Sequence, residues 1–66
     1  MTMGARIQEL RRQKGLSQEA LGEALGVSRQ AISKWESTTT IPEVDNLVGL
    51  SRLFGASVGA LLGVEE

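Results

Sequence analysis

Between Arg29 and Ser37, four side chains able to hydrogen-bond fall on one side of a helical spacing. Taking roughly 100° per residue from Arg29, Ser33 lies at about 40°, Gln30 at about 100° and Lys34 at about 140°. Ala31, Trp35 and Ile32 lie on the opposite side, at about 200°, 240° and 300°. One face is therefore apolar, and the other offers a guanidinium, an amide, a hydroxyl and an ammonium. The edges of base pairs in a DNA major groove call for such groups. Arginine and lysine donate to guanine O6 and N7, glutamine pairs with adenine through two hydrogen bonds, and the groove is wide enough to admit a helix. Trp35, the single tryptophan, stands at helical spacing from Ile32 and reads as a core residue with its indole N–H near the surface.

Composition excludes most other chemistries. The 66 residues contain no cysteine and no histidine, so disulfides and thiolate or imidazole metal sites are ruled out. There is no phosphate-cradling glycine loop and no pair of acids suited to a pocket, so the chain is not expected to be an enzyme or to hold a cofactor or metal. The net charge of −1 conceals an asymmetry. Residues 1–35 carry six cations (Arg6, Arg11, Arg12, Lys14, Arg29, Lys34) against three anions, a balance of +3. Residues 36–66 carry Arg52 against five anions, a balance of −4. A basic half joined to an acidic half suits a polyanion on one side. Arg6, Arg11, Arg12 and Lys14 themselves read as a solvated helix face. No apolar run approaches the roughly 20 residues of a membrane span, and the N-terminus lacks the apolar stretch of a signal peptide, so a cytoplasmic protein is expected.

The elements that position this face are legible from their punctuation. Gly15, Gly26, Gly55 and Gly63 follow stretches of helical apolar spacing, where a left-handed cap is wanted. Ser17, Ser28 and Ser57 each stand two residues beyond such a glycine, where a hydroxyl can cap the next helix. The pattern predicts helices over Met3–Lys14, Gln18–Leu25, Arg29–Ser37, Val44–Phe54 and Val58–Leu62. Their expected inward residues are Ile7 and Leu10; Ala20, Leu21, Ala24 and Leu25; Ile32 and Trp35; Val44, Leu47, Leu50 and Phe54; and Val58, Leu61 and Leu62. Leu16 is placed to fold back on Leu10. Thr38, Thr39, Thr40, Ile41 and Pro42 separate the third helix from the fourth. The opening Met-Thr-Met-Gly and the closing Glu65-Glu66 are expected to fray. One domain over residues 1–66 is predicted, with a helix-turn-helix over residues 17–36. Its turn is Leu25-Gly26-Val27-Ser28, with Val27 as the apolar plug.

The runs Gly15-Leu16-Ser17-Gln18-Glu19-Ala20-Leu21 and Leu25-Gly26-Val27-Ser28-Arg29-Gln30-Ala31-Ile32-Ser33-Lys34-Trp35-Glu36 closely resemble the Cro/phage-repressor (xenobiotic-response-element) family of helix-turn-helix regulators. The likeness continues through Pro42, Leu47, Leu50, Phe54-Gly55 and Leu61-Leu62. The resemblance implies an all-α, five-helix lambda-repressor-like domain acting as a homodimer on a palindromic operator in double-stranded DNA. Carried over by position, it implies base contacts from Arg29, Gln30 and Lys34, with Ser33 between them on the same face. It further implies that Gln18 clamps a phosphate at the start of the second helix. It implies further backbone contacts from Ser28 or the loop at residues 37–40, with Thr38 and Thr39.

Two departures from the family pattern stand out. Relatives commonly place a glycine and then a lysine or arginine where this chain has Thr38 and Thr39. A β-branched residue is poorly suited to positive φ, so the helix end is expected to close differently, and the missing cation weakens phosphate anchoring. Gly22, Gly49 and Gly59 occupy helix interiors where relatives carry longer residues, each costing roughly 1 kcal/mol against alanine. Glu36 reads as structural, paired with a nearby cation, and Val58, Leu62 and Val64 as core or dimer interface.

The expected function is a transcriptional regulator, a repressor by preference because blocking a promoter needs no further surface. The alternative is a protein-interaction module, antitoxin-like or a scaffold, that keeps the fold without strong DNA readout. Gly63 to Glu66 can be the start of a linker to a C-terminal effector domain absent from this sequence.

Overall fold

The structure, a computed structural model, describes residues 1–64. Four of its helices open on a hydroxyl. Thr2, Ser17, Ser28 and Ser57 each accept a hydrogen bond from the backbone N–H three residues on, at 3.0–3.1 Å. Each bond satisfies a donor that the first turn would otherwise leave without a partner. These caps begin α1 (Met3–Gln13), α2 (Gln18–Leu25), α3 (Arg29–Glu36) and α5 (Val58–Leu62), while α4 (Val44–Phe54) follows Glu43 without a side-chain cap. No strand occurs among the described residues. Lys14 and Ser37, expected as the last helical residues, are the C-caps of α1 and α3. The opening residues are more ordered than expected, since Thr2 caps α1 and Gly4 is buried. The expectation of fraying at Glu65 and Glu66 lies outside the described residues.

The core is assembled from all five helices. Ile7, Leu21, Ile32, Leu50 and Leu61 are fully buried, and Trp35 joins them at 6% exposure. Leu10, Leu16, Leu25, Val27 and Phe54 pack around this cluster while partly exposed. α3 lies against both α1 and α2, and α4 and α5 pack on each other.

Three expected inward residues, Ala24, Val44 and Leu62, are exposed instead. Val44 is 76% exposed. Measured from Leu47, the residues Leu50, Leu53 and Phe54 fall at about 300°, 240° and 340°, so Val44, at about 60°, lies off the edge of that stripe. Ala24 is exposed because α2 turns Gly22, not Ala24, inward. A Cβ on Gly22 would stand 2.6 Å from the Val27 carbonyl oxygen, so glycine here permits the close return of the chain into α3. Leu62 and Val64 are exposed and Val58 is half-buried, which leaves only Leu61 of α5 fully in the core.

The exit of α3 also corrects an expectation. Thr38 adopts φ +64°, the one positive φ at a non-glycine among the described residues. Its N–H donates to the Trp35 carbonyl at 3.1 Å and the Thr39 N–H to the Lys34 carbonyl at 2.9 Å. The pair of bonds at Gly26 has the same pattern, from Gly26 to Glu23 and from Val27 to Gly22. The helix therefore closes in the usual left-handed way, with a threonine in the glycine's place. Holding an L-residue in that conformation costs roughly 1–2 kcal/mol.

Two substitutions test these readings. Gly22→Ala is expected to destabilise the domain by about 1–3 kcal/mol through overpacking, despite the better helix propensity of alanine. Gly49→Ala, whose Cβ would meet only the flexible Leu25 side chain at 3.0 Å, is expected to be far milder; urea unfolding of both variants checks the contrast. Thr38→Gly is expected to stabilise by about 1 kcal/mol and raise Tm by about 4–8 °C, read by thermal unfolding.

Candidate nucleic-acid interface

α2 and α3 meet through Leu25-Gly26-Val27-Ser28. Gly26, at φ +75°, reverses the chain, Val27 plugs the angle against the core, and the Ser28 hydroxyl caps α3. α3 is held by Ile32 and Trp35, both buried, on one side. Arg29, Gln30 and Lys34 are exposed on the other side, and Ser33 between them is half-buried. The structure thus brings the four expected base-reading residues to one helix face, with the shortest of them deepest.

The four residues expected to meet phosphate are arranged less uniformly. Ser28 is exposed, and its oxygen accepts from the Ala31 N–H at 3.1 Å, so its own O–H is left to donate outward. Thr38 and Thr39 are exposed, but their backbone N–H groups point back into α3. The exit loop therefore has hydroxyls to offer rather than those amides, and the Thr39 hydroxyl is itself hydrogen-bonded to Ser37 at 2.8 Å. Gln18, the first residue of α2, is half-buried and donates from Nε2 to Glu36 Oε1 at 3.1 Å.

That last bond belongs to a cluster centred on Glu36. Arg11 Nε lies 2.6 Å from Glu36 Oε2, and Arg11 Nη2 donates to Oε1 at 3.2 Å. A third guanidinium nitrogen, Nη1, donates to the Leu16 carbonyl at 2.8 Å. The side chains of Arg11 and Glu36 are only 11% and 4% exposed. Burial pushes the Glu36 carboxyl upward, but hydrogen bonds from Arg11, Gln18 and Gln8, with the guanidinium charge, outweigh it and hold the group below the ordinary glutamate value. Glu36 is structural and paired, as expected. Arg11 is not part of a solvated face, and that reading is corrected. Its position supplied a signal: Arg11 lies one helical turn from Ile7 and beside Leu10, on the inward stripe of α1, where a cation needs a buried partner.

An open groove along α1, lined by Met1, Ala5, Gln8, Glu9, Arg12 and Gln13, brings together no nucleophile and base.

Two helices packed across a short glycine-containing turn, the second with its polar face turned outward, form a helix-turn-helix. The chain matches the helix-turn-helix family over residues 7–61 and belongs to it, as a domain of Cro/C1 type. It is 44% identical over 66 residues to the HTH-type transcriptional activator BcrR of Enterococcus faecalis, covering 100% of this chain and 32% of that protein. It is 43% identical over 60 residues to repressor protein C2 of Salmonella phage P22, covering 91% and 28%. The chain thus spans about a third of the length of these curated relatives. Among solved structures, the P22 c2 repressor in complex with a synthetic operator superposes with TM-score 0.92 at 40% identity, covering 98% of each chain. SinR in complex with DNA superposes with TM-score 0.83 at 32% identity, covering 92% of this chain and 98% of that one.

The lowered Glu36 pKa has a direct consequence for stability. A carboxyl whose folded pKa lies below its unfolded value, about 4.3, stabilises the fold above that pH and loses the contribution as pH falls through the folded pKa. Urea unfolding is expected to show stability lost with acid below about pH 4.3. The loss should be smaller in Glu36→Gln, which starts from a lower stability at pH 7.

Proposed function

We propose that the chain is a sequence-specific DNA-binding transcriptional repressor whose α3 enters the major groove of a palindromic operator. The observation that carries this reading is the exposure of Arg29, Gln30 and Lys34 along a helix whose other side is locked by Ile32 and Trp35. Arg29 and Lys34 read guanine, Gln30 reads adenine, and Ser33 makes a shorter contact between them. Gln18, Ser28, Thr38 and Thr39 contact phosphates and fix the orientation of the domain, which positions but does not specify. Residues 1–66 work as one domain, with the helix-turn-helix over 17–36. Two copies form a homodimer and place their α3 helices in grooves about 34 Å apart, one turn of the duplex. The bound repressor blocks transcription by occupying the site, in the cytoplasm and without enzymatic activity. The operator-bound state of a neighbour as similar as the P22 c2 repressor favours DNA over a protein partner.

Selection from a random duplex pool is expected to recover a palindrome with half-sites one helical turn apart. Arg29→Ala should then lower affinity for that operator by about 1–3 kcal/mol and relax the preference at one base pair per half-site. Unchanged affinity and preference in Arg29→Ala would overturn the assignment of the reading helix. Affinity should also fall steeply with salt, whereas a module built for protein would show little salt dependence.

A further inference from the structure

We infer that Glu36 is a positioning residue for DNA binding, its carboxylate holding the Gln18 side-chain amide in the orientation that presents an N–H to a backbone phosphate. The inference rests on the reading of Gln18 as a phosphate clamp and adds what sets its geometry.

A glutamine amide can turn about its last bond and exchange its oxygen for its nitrogen. A carboxylate only accepts hydrogen bonds, so the side of Gln18 that faces Glu36 must be the NH2 group. One hydrogen of Nε2 is then committed to Oε1 at 3.1 Å. The other remains on the same nitrogen, in the plane of the amide and fixed by the first. An untethered amide at a helix start would rotate freely and offer a phosphate either an acceptor or a donor. A tethered one offers a donor.

The carboxylate is itself immobile. Its side chain is 4% exposed, and Arg11 grips both oxygens while Arg11 Nη1 holds the turn between α1 and α2 through Leu16. Glu36 is also the last residue of α3. One carboxylate therefore joins the end of the base-reading helix to the first residue of α2. The distance from the phosphate-contacting amide to the base-reading face is set by a chain of hydrogen bonds rather than by packing alone. Alignment of phosphate and base contacts is what places a reading helix in register on the duplex.

The test uses the selected operator, intact and with a neutral methylphosphonate at each backbone position in turn, bound by wild type, Gln18→Ala, Glu36→Gln and the double variant. Gln18→Ala is expected to lose about tenfold in affinity, the loss of a hydrogen bond to a charged group. That loss should vanish on DNA bearing the methylphosphonate at one position per half-site. Glu36→Gln, measured on the folded fraction, should lose affinity at the same position, and the double variant should lose no more than the larger single loss there. Loss in Glu36→Gln that is indifferent to the methylphosphonate, or additive with Gln18→Ala, overturns the positioning role while leaving the DNA-binding reading intact. No loss in Gln18→Ala at any position overturns the clamp and the positioning role together.

A second measurement needs no variant. In wild-type protein operator addition should shift the Gln18 Nε2 proton directed away from Glu36 much more than the one bonded to it. Equal shifts of the two protons on operator addition, or none, would overturn the inference even if Glu36→Gln proves too unstable to assay.

Discussion

The contact between Arg11 and Glu36 ties α1 to α3 and both of them to the turn that leads into α2. α1 supplies the guanidinium, α3 the carboxylate, and the guanidinium reaches the turn into α2 through the Leu16 carbonyl. Taking two charges out of water is expensive, and their mutual attraction repays it only when geometry is good and the remaining hydrogen-bonding positions are filled. Here they are filled, by three guanidinium nitrogens and the Gln18 amide. A pair of this kind adds little net stability over well-packed apolar residues, yet removing one partner leaves a buried charge uncompensated. What it contributes is direction. Apolar contacts between Ile7, Leu21 and Ile32 could tolerate small rotations of one helix over another, but a forked guanidinium facing a carboxylate tolerates few.

That constraint matters because the core is small. A chain of 66 residues folding by itself buries only about 60% of the surface it exposes when unfolded, so its margin of stability is thin. Two backbone features reduce that margin or guard it. Thr38 carries strain at the end of α3, where glycine would carry none. Gly4 and Gly22 permit approaches that no side chain would allow: a Cβ on Gly4 would stand 2.5 Å from the carbonyl oxygens of Trp35 and Glu36. The α1 backbone thus touches the end of α3 directly beside the ion pair. Close backbone approach and ion pair fix the same joint from two sides.

Much of this was legible in the sequence, for identifiable reasons. The repeated glycine, apolar residue and serine between helices gave both the left-handed stop and the hydroxyl start, and the bounds of α2 and α5, the start of α3 and the end of α4 follow from that local chemistry. The polar face of α3 was legible because the period of the helix separates Arg29, Gln30 and Lys34 from Ile32 and Trp35 without ambiguity. What escaped depends on the neighbour rather than on the element. Whether Gly22 is a weakness or a necessity is decided by the Val27 carbonyl, which belongs to the following turn. Whether Val44 is core is decided by where α4 begins to meet other helices. Arg11 was missed because Arg12, Lys14 and Arg6 share its segment, which drew it into a solvated group, although its helical phase placed it inside. The conformation of Thr38 runs against its residue type, since backbone hydrogen bonds to Lys34 and Trp35 together outweigh the local preference of a β-branched residue.

The exit of α3 and the Glu36 hub are consecutive in the chain, and their demands differ. Glu36 must be held still, because Arg11 and Gln18 both take their orientation from it. The exit that follows turns on Thr38, with the Thr38 and Thr39 amides already bonded to carbonyls of α3 and the Ser37 and Thr39 hydroxyls bonded to each other. A lysine or arginine at this exit would place a mobile charge near phosphate, which strengthens binding to any sequence alike. Hydroxyls contribute less of that indiscriminate attraction. Under the proposed function, the chain then depends more heavily on directional contacts, from the polar face of α3 and the tethered amide of Gln18, than on phosphate charge pairing. The two are linked through one carboxylate. On the proposed reading affinity and selectivity rest on the same rigid joint, and loosening it would reduce both together.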